Sequence, residues 1–332
     1  MKKDYMPTKR YVLVVSLLLS LVFFACKDKK EKEVETEDME TTMTESEAPF
    51  FKLSLAQWSI HKMIRNDSVD PYSFAEKAKS WGFSGLEYVS QLYPADLENN
   101  EYSEQAMNAF VERSNAEAKK HGMQNVLIMI DGQGNLAVSD DAERKAAVER
   151  HYKWVDAAAA MGCHAIRVNL NGESDPEKWK ANSIDGLTQL ATYAKGKNIN
   201  IIVENHGGLS SNGAMHAEVM KAVNMDNCGT LPDFGNFCIT RKKDSWECEE
   251  MYDIYKGVAE LMPYAKAVSA KSNVFDENGD EVNIDYARML QIVKDAGYDS
   301  YIGVEYEGNE LSEEAGILAT RDLLIRASKE VN

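Results

Sequence analysis

Several apolar runs in this chain lead into an acid, and three of them lie in its second half. Ile201, Ile202 and Val203 lead into Glu204, Leu231 and Pro232 into Asp233, and Ile302, Gly303 and Val304 into Glu305. A carboxylate taken out of water without a partner is strongly disfavoured, so acids that close such runs need a cation, a shared proton or a reaction that uses them. Three carboxylate oxygens converging on one point suit a hard divalent cation such as Mn, Mg or Co. Two carboxylates on opposite sides of a substrate suit the removal and return of a proton at carbon. Asp233, with Gly235 and Asn236 close behind it, also fits a helix or turn cap; Glu204, behind three aliphatic residues, does not.

Other chemistry-bearing residues fall at or near the ends of similar runs. Trp58 and His61 follow the run at 51–59, Glu87 lies in the run at 85–89, and Asp131 follows the run at 125–130. Arg167 and Asn169 belong to the run at 165–170, His206 stands two residues after Glu204, and Lys271 follows the run at 265–270. Glu307 lies two residues beyond Glu305 and therefore on the same face of a strand. Glu204, Glu305 and Lys271 are the candidates for catalysis, and Glu204, Asp233 and Glu305 for metal binding. His61, Trp58, Glu87, Arg167, Asn169, His206 and Glu307 are the candidates for substrate binding, with rim packing the plainer role for Trp58. His121, His151, His164 and His216 sit in or beside helical stretches and are not expected to be ligands.

The elements that must position these residues show a regular cadence. Eight short apolar runs (51–59, 85–89, 125–130, 165–170, 200–204, 229–232, 265–270 and 300–305) alternate with amphipathic stretches. The latter predict helices at 72–81, 104–121, 141–161, 184–197, 214–223, 247–262, 286–296 and 314–328. Gly82, Gly122, Gly162 and Gly297 follow four of them, where glycine supplies the left-handed helix stop. Strict βα alternation implies parallel strands, and eight units imply closure: the fold class is α/β, a single-domain (β/α)8 TIM barrel over residues 49–332. An open doubly wound sheet is the alternative. Its phosphate fingerprint has one match, at Gly132, Gly134 and Ala137, but residues 138–140 interrupt where a helix should run, so these glycines need only a turn. In a (β/α)8 barrel the active site lies at the C-terminal ends of the strands, where the candidates fall.

At these positions the sequence resembles the xylose isomerase-like barrels, the family of sugar phosphate isomerases and epimerases and endonuclease-IV-related proteins. The resemblance spans about residues 50–330. It is carried by GFSGLEYV at 82–89, IIVENHGG at 201–208, TLPDFGNF at 230–237, VSAKS at 268–272 and YIGVEYEG at 301–308. It implies a divalent metal held by Glu204, Asp233 and Glu305, and a lysine, Lys271, that binds substrate or stabilises an oxyanion. The family's fourth ligand is a histidine, and here that position is Ser269, a poorer ligand. The implied activity is isomerisation or epimerisation of a sugar through an enediolate. The alternatives are a lyase or hydrolase on keto-glycosides and a sugar-binding lipoprotein with a degenerate metal site. The nuclease branch needs a histidine-rich zinc cluster and a basic face, which six histidines and an acidic chain do not offer.

Composition sets the limits of these readings. The chain has 332 residues, 37 Lys and Arg against 54 Asp and Glu, and a formal charge of -17. That balance excludes nucleic acid and an anionic membrane surface as main partners. Lys2, Lys3, Lys9 and Arg10 precede an apolar run at 11–24 that is short for a spanning helix and right for a secretory signal. Ala25-Cys26 at its end resembles the lipobox of bacterial lipoproteins. The expected organisation is a signal peptide at 1–25, a lipid on Cys26, and a disordered acidic tether at 26–48 leading to the barrel. The only membrane contact would then be the N-terminal lipid, with the domain exported to the cell envelope, in the periplasm or at the outer membrane. Export and the lack of a glycine-rich phosphate loop point to a free sugar, keto-sugar or polyol as partner. Cys238 and Cys248 lie in or near the loop after the sixth run and can pair in an oxidising compartment. Cys163 and Cys228 start runs and read as small buried residues.

Overall fold

A computed structural model describes residues 48–331; the signal segment, Cys26 and the acidic stretch to residue 47 lie outside the described residues. The chain runs β1 (Lys52–Ala56), α1 (His61–Asn66), α2 (Phe74–Ser80), β2 (Gly85–Val89), α3 (Glu104–His121), β3 (Gln124–Met129), α4 (Asp141–Met161), β4 (Ala165–Val168) and α5 (Pro176–Lys195). It continues through β5 (Asn200–Glu204), α6 (Gly213–Val223), β6 (Cys228–Leu231), β7 (Cys238–Arg241), β8 (Cys248–Met251), α7 (Ile254–Leu261), β9 (Val268–Ser272), α8 (Tyr286–Asp295), β10 (Tyr301–Tyr306) and α9 (Glu313–Ser328). Eight strands form one parallel sheet in the order β6, β5, β4, β3, β2, β1, β10, β9. The two outer strands meet through parallel bridges at Thr230–Ala265 and Asp233–Ser269. Lys266 donates its backbone N–H to Thr230 O, Ser269 to Pro232 O and Phe234 to Ser269 O. Pro232 has no N–H to give, so this closing seam is the sparsest pairing in the ring.

Physical reasons for the elements are local. β5, with Ile201, Ile202 and Val203 wholly buried, is covered on both faces, as parallel strands are. The helices α4, α5, α7 and α8 begin on Asp140, Asp175, Asp253 and Asp285, whose side chains accept the N–H three residues on. Each such cap is worth about 1 kcal/mol. Helices α3 and α4 end on Gly122 and Gly162, both in the left-handed region at φ 65° and 72°. No helix among the described residues is long and apolar enough to cross a membrane.

Three expectations need correction. The first strand stops at Ala56, and Gln57–Ile60 forms a 3-10 turn that carries Trp58 to the barrel mouth. The fifth helix starts at Pro176 rather than 184, because Asp175 caps it and proline fits its first turn. The stretch expected as one helix from 247 to 262 is a strand followed by a shorter helix from Ile254. Residues 248–251 pair antiparallel with 238–241, and a Cys238–Cys248 disulfide closes the hairpin. The turn is made by Asp244, in the left-handed region at φ 56°.

Candidate active site

Parallel register sets the interior face. Ser269 pairs with Gly303 and Lys271 with Glu305, so residues two apart on neighbouring strands line the same wall. Across the closing seam Asp233 is bridged to Ser269, and on β5 Glu204 stands opposite Leu231. One oxygen each of Glu204, Asp233 and Glu305 lies within 4.8 Å of the others, and all three residues are buried.

Each acid has defined partners. Ser269 Oγ donates to Asp233 Oδ2 at 2.7 Å and lies 3.1 Å from Glu305 Oε2. Lys271 Nζ donates to Glu305 Oε2 at 2.9 Å and to Glu307 Oε1 at 2.5 Å, and stands 3.8 Å from Asp233 Oδ2. Asp233 Oδ1 accepts the backbone N–H groups of Gly235 and Asn236. Asn236 Nδ2 donates to Glu204 Oε1 at 2.9 Å. Arg167 Nε lies 2.9 Å from Glu204 Oε2, an ion pair without hydrogen-bond alignment, and its Nη1 donates to Asp131 Oδ1 at 3.0 Å. Asn169 Nδ2 donates to the same Asp131 oxygen at 2.7 Å.

The charges do not balance. Glu204, Asp233, Glu305, Glu307 and Asp131 face two basic side chains, Arg167 and Lys271. Burial pushes Glu204 up to about 7, with Arg167 opposing and Glu305 adding to it. Burial does the same to Asp233, also to about 7, against the pull of Lys271. For Glu305, burial is outweighed by Lys271 and the carboxyl is held below its ordinary value. Burial opposes the charge on Lys271 too, but Asp233, Glu305 and Glu307 hold its proton firmly. Burial, followed by Arg167 and Lys271, lowers His206 and keeps its ring neutral. An all-oxygen donor set with excess negative charge fits a hard divalent cation, and Ser269 adds a hydroxyl beside it.

Above the cluster opens a cavity of about 600 Å³, lined among others by Trp58, Asp131, Arg167, His206, Glu305 and Glu307. Three of the expected substrate contacts stand elsewhere. Glu87 is buried inside the barrel, where Ser54 Oγ donates to its Oε1 at 2.6 Å. It occupies the space left by Gly303, whose Cβ would meet both Glu87 oxygens at 2.5 Å. His61 lies behind Trp58, its ring stacked on the indole at 4.4 Å and its Nδ1 donating to Trp58 O. Asn169 orients Asp131. The other histidines outside the site include His151 and His216, each bonded through Nδ1 to a backbone carbonyl. Unforeseen were Arg241, Trp246 and Met251, which reach the cavity from the hairpin β7–β8. Two cysteines flanking the polar turn Lys242, Lys243, Asp244 and Ser245 were the signal for it.

The family model described as "Xylose isomerase-like TIM barrel" matches residues 75–327. The chain belongs to this family. Among solved structures, the IolI protein "with a binding zinc atom" superposes with a TM-score of 0.63 at 14% identity, covering 85% of this chain and 99% of that one. An L-ribulose 3-epimerase gives 0.63 at 14% identity, over 84% and 94% of the two chains. A xylose isomerase-like barrel from Mycobacterium smegmatis, in complex with magnesium, gives 0.54 at 16%, over 78% and 88%. At such identities the likeness is one of fold. No curated protein sequence matches the chain significantly.

Proposed function

We propose that this member of the xylose isomerase-like family is an isomerase or epimerase of a free sugar, keto-sugar or related polyol. The observation that carries the reading is the buried convergence of Glu204, Asp233 and Glu305, with Lys271 bonded to Glu305, at the floor of an open cavity. One of Glu204 and Glu305 takes the proton from the carbon beside a carbonyl. The C–H electron pair passes into an enediolate, and the other carboxyl returns a proton to the opposite face or the neighbouring carbon, so mass is conserved. Lys271 Nζ, already charged, stabilises the oxyanion without having to be reorganised. Arg167 and Asn236 hold the Glu204 carboxyl in place, and Ser269 ties Asp233 to Glu305. Glu204, Asp233 and Glu305 would hold a divalent cation, Mn, Mg or Co. Bound there, it would polarise the carbonyl oxygen of the sugar.

The test is solvent-deuterium incorporation into a panel of free sugars and keto-sugars, followed by NMR. Wild-type protein is expected to place deuterium beside the carbonyl with no loss of mass balance. Glu204→Gln with Glu305→Gln should lower that rate roughly a thousandfold or more. Exchange that survives the double substitution would sink the mechanism.

We further propose that the domain is exported and held at the cell envelope by a lipid on Cys26. Two features support this: the basic, apolar and Ala25-Cys26 sequence at the N-terminus, and the Cys238–Cys248 disulfide, a bond of oxidising compartments.

A further inference from the structure

The hairpin β7–β8 takes no part in the barrel sheet, yet it supplies Cys238, Arg241, Trp246, Cys248 and Met251 to the cavity wall. Trp246 is 84% exposed and Met251 58%. A solvent-facing indole on the wall of a binding cavity offers an open apolar π face to an occupant. The indole is also anchored. The Arg241 guanidinium stands 5.4 Å from its ring centroid and Arg241 Nη1 donates to Trp246 O at 2.5 Å. Lys242 donates its backbone N–H to Glu247 O at 2.9 Å, and the disulfide ties the two strands together.

Depth separates this indole from the acids. Glu305, which lines the cavity together with Trp246, is 4% exposed and its cluster partners Asp233 and Glu204 are 0% and 2%, while Trp246 is almost wholly in solvent. A guest that touches both must extend from the floor to the open rim. The cavity of about 600 Å³ lies mid-way in the range, roughly 300–1,000 Å³, that encloses drug-sized ligands. A lone monosaccharide is a smaller guest. The π face of an indole attracts the weakly positive C–H face of a pyranose and stacks equally well on an aromatic ring.

We propose that Trp246 is the platform for a second ring, and that the substrate is a keto-sugar held in a glycoside: the reacting sugar, whose ketone is not at the anomeric carbon and so survives the glycosidic bond, lies at the carboxylates and its glycosidic partner ring on the indole. This rests on the sugar-binding reading of the cavity floor and adds the substrate class. Two sources share the chemistry, a second sugar and an aromatic aglycone.

The test is isothermal titration of the full chain with matched probes: glucose, cellobiose and phenyl β-glucoside, and galactose, lactose and phenyl β-galactoside. Wild type is expected to bind at least one two-ring probe tenfold or more tightly than its monosaccharide. Trp246→Ala should bring that ratio close to one, and Trp246→Phe should restore most of it; the exposed position leaves folding intact. Preference for the disaccharide assigns the rim to a second sugar, and preference for the phenyl glycoside assigns it to an aromatic aglycone. Monosaccharides that bind as tightly as both two-ring probes, or a ratio unchanged in Trp246→Ala, would overturn the platform while leaving the sugar reading intact. A panel in which nothing binds would overturn both.

Discussion

Glu87 and Ser269 show how much hangs on a single side chain. Glu87 is enclosed between Ser54 and Gly303, with its Oε2 lacking any hydrogen-bond partner among the described residues. Burial raises its carboxyl from the ordinary 4.5 to about 8, so the folded barrel carries it protonated at neutral pH. The sign of the linkage follows. The native state binds a proton that the unfolded chain has already lost, so this stability is fully present below pH 4.5 and is lost as pH rises towards about 8. Glu87→Gln, which cannot ionise, should remove a slope of roughly 1 kcal/mol per pH unit. Urea unfolding of both proteins at pH 5, 6.5 and 8 checks it. The variant should gain on wild type steadily across the series, and parallel curves would mean that Glu87 does not hold this proton. Ser269 acts differently: its hydroxyl joins Asp233 and Glu305, which leaves the cluster all oxygen.

The hairpin β7–β8 is the element least explained by the barrel. Its disulfide closes a loop of ten residues, for which loop entropy gives a stabilisation of about 2–3 kcal/mol. The hairpin has its own two-stranded sheet and few buried residues, so little else holds it. Reduction, or Cys238→Ser with Cys248→Ser, should therefore loosen this segment alone. Hydrogen exchange is expected to show the Lys242 and Tyr252 amides losing protection, while the amides of β5 and β10 stay protected. Equal loss in the barrel strands would show the disulfide to be part of the global fold. Elsewhere periodicity and the glycine stops made the helices legible: α4 ends on Gly162 where the sequence placed its stop, while the cap Asp140 reads in the sequence only as part of an interruption. The hairpin escaped because its residues, Cys248 to Met251, read as the first turn of a helix when the partner strand ten residues earlier is ignored.

Charge is distributed over the whole chain. By formal counting the segment 1–25 carries +3, the stretch 27–48 carries -5 and the domain about -15, so the acidity belongs mostly to the barrel. Part of it is the cluster at the mouth and part a solvated surface, and neither favours a phosphate backbone. The proposed lipid anchor acts at this same level, since it would decide where the barrel resides. Cys26→Ser is expected to release the protein from the membrane fraction and to abolish incorporation of radiolabelled palmitate in the producing cell. A variant that stays membrane-bound and labelled would rule out Cys26 as the anchor. The barrel itself depends on a narrow seam, where β6 and β9 meet at two bridges and Asp233 takes its place beside Ser269.

Periodicity and chain punctuation are local properties, so the eightfold βα order, the helix stops and the three strand-end acids were legible in the residues alone. Glu204, Asp233 and Glu305 could be named because an acid after an aliphatic run is costly wherever it folds. Their convergence within 4.8 Å, the Lys271 contacts and the ion pair of Arg167 with Glu204 depend on strand register and barrel closure, which bring together positions far apart in the chain. The same closure buried Glu87 beneath Gly303 and set His61 behind Trp58, although both had looked like mouth residues from their run ends. It also turned an apparent helix start into a disulfide-bound hairpin that puts Trp246 on the cavity. Facing direction along a strand alternates residue by residue, but depth within a barrel is fixed by what the neighbouring strands leave empty.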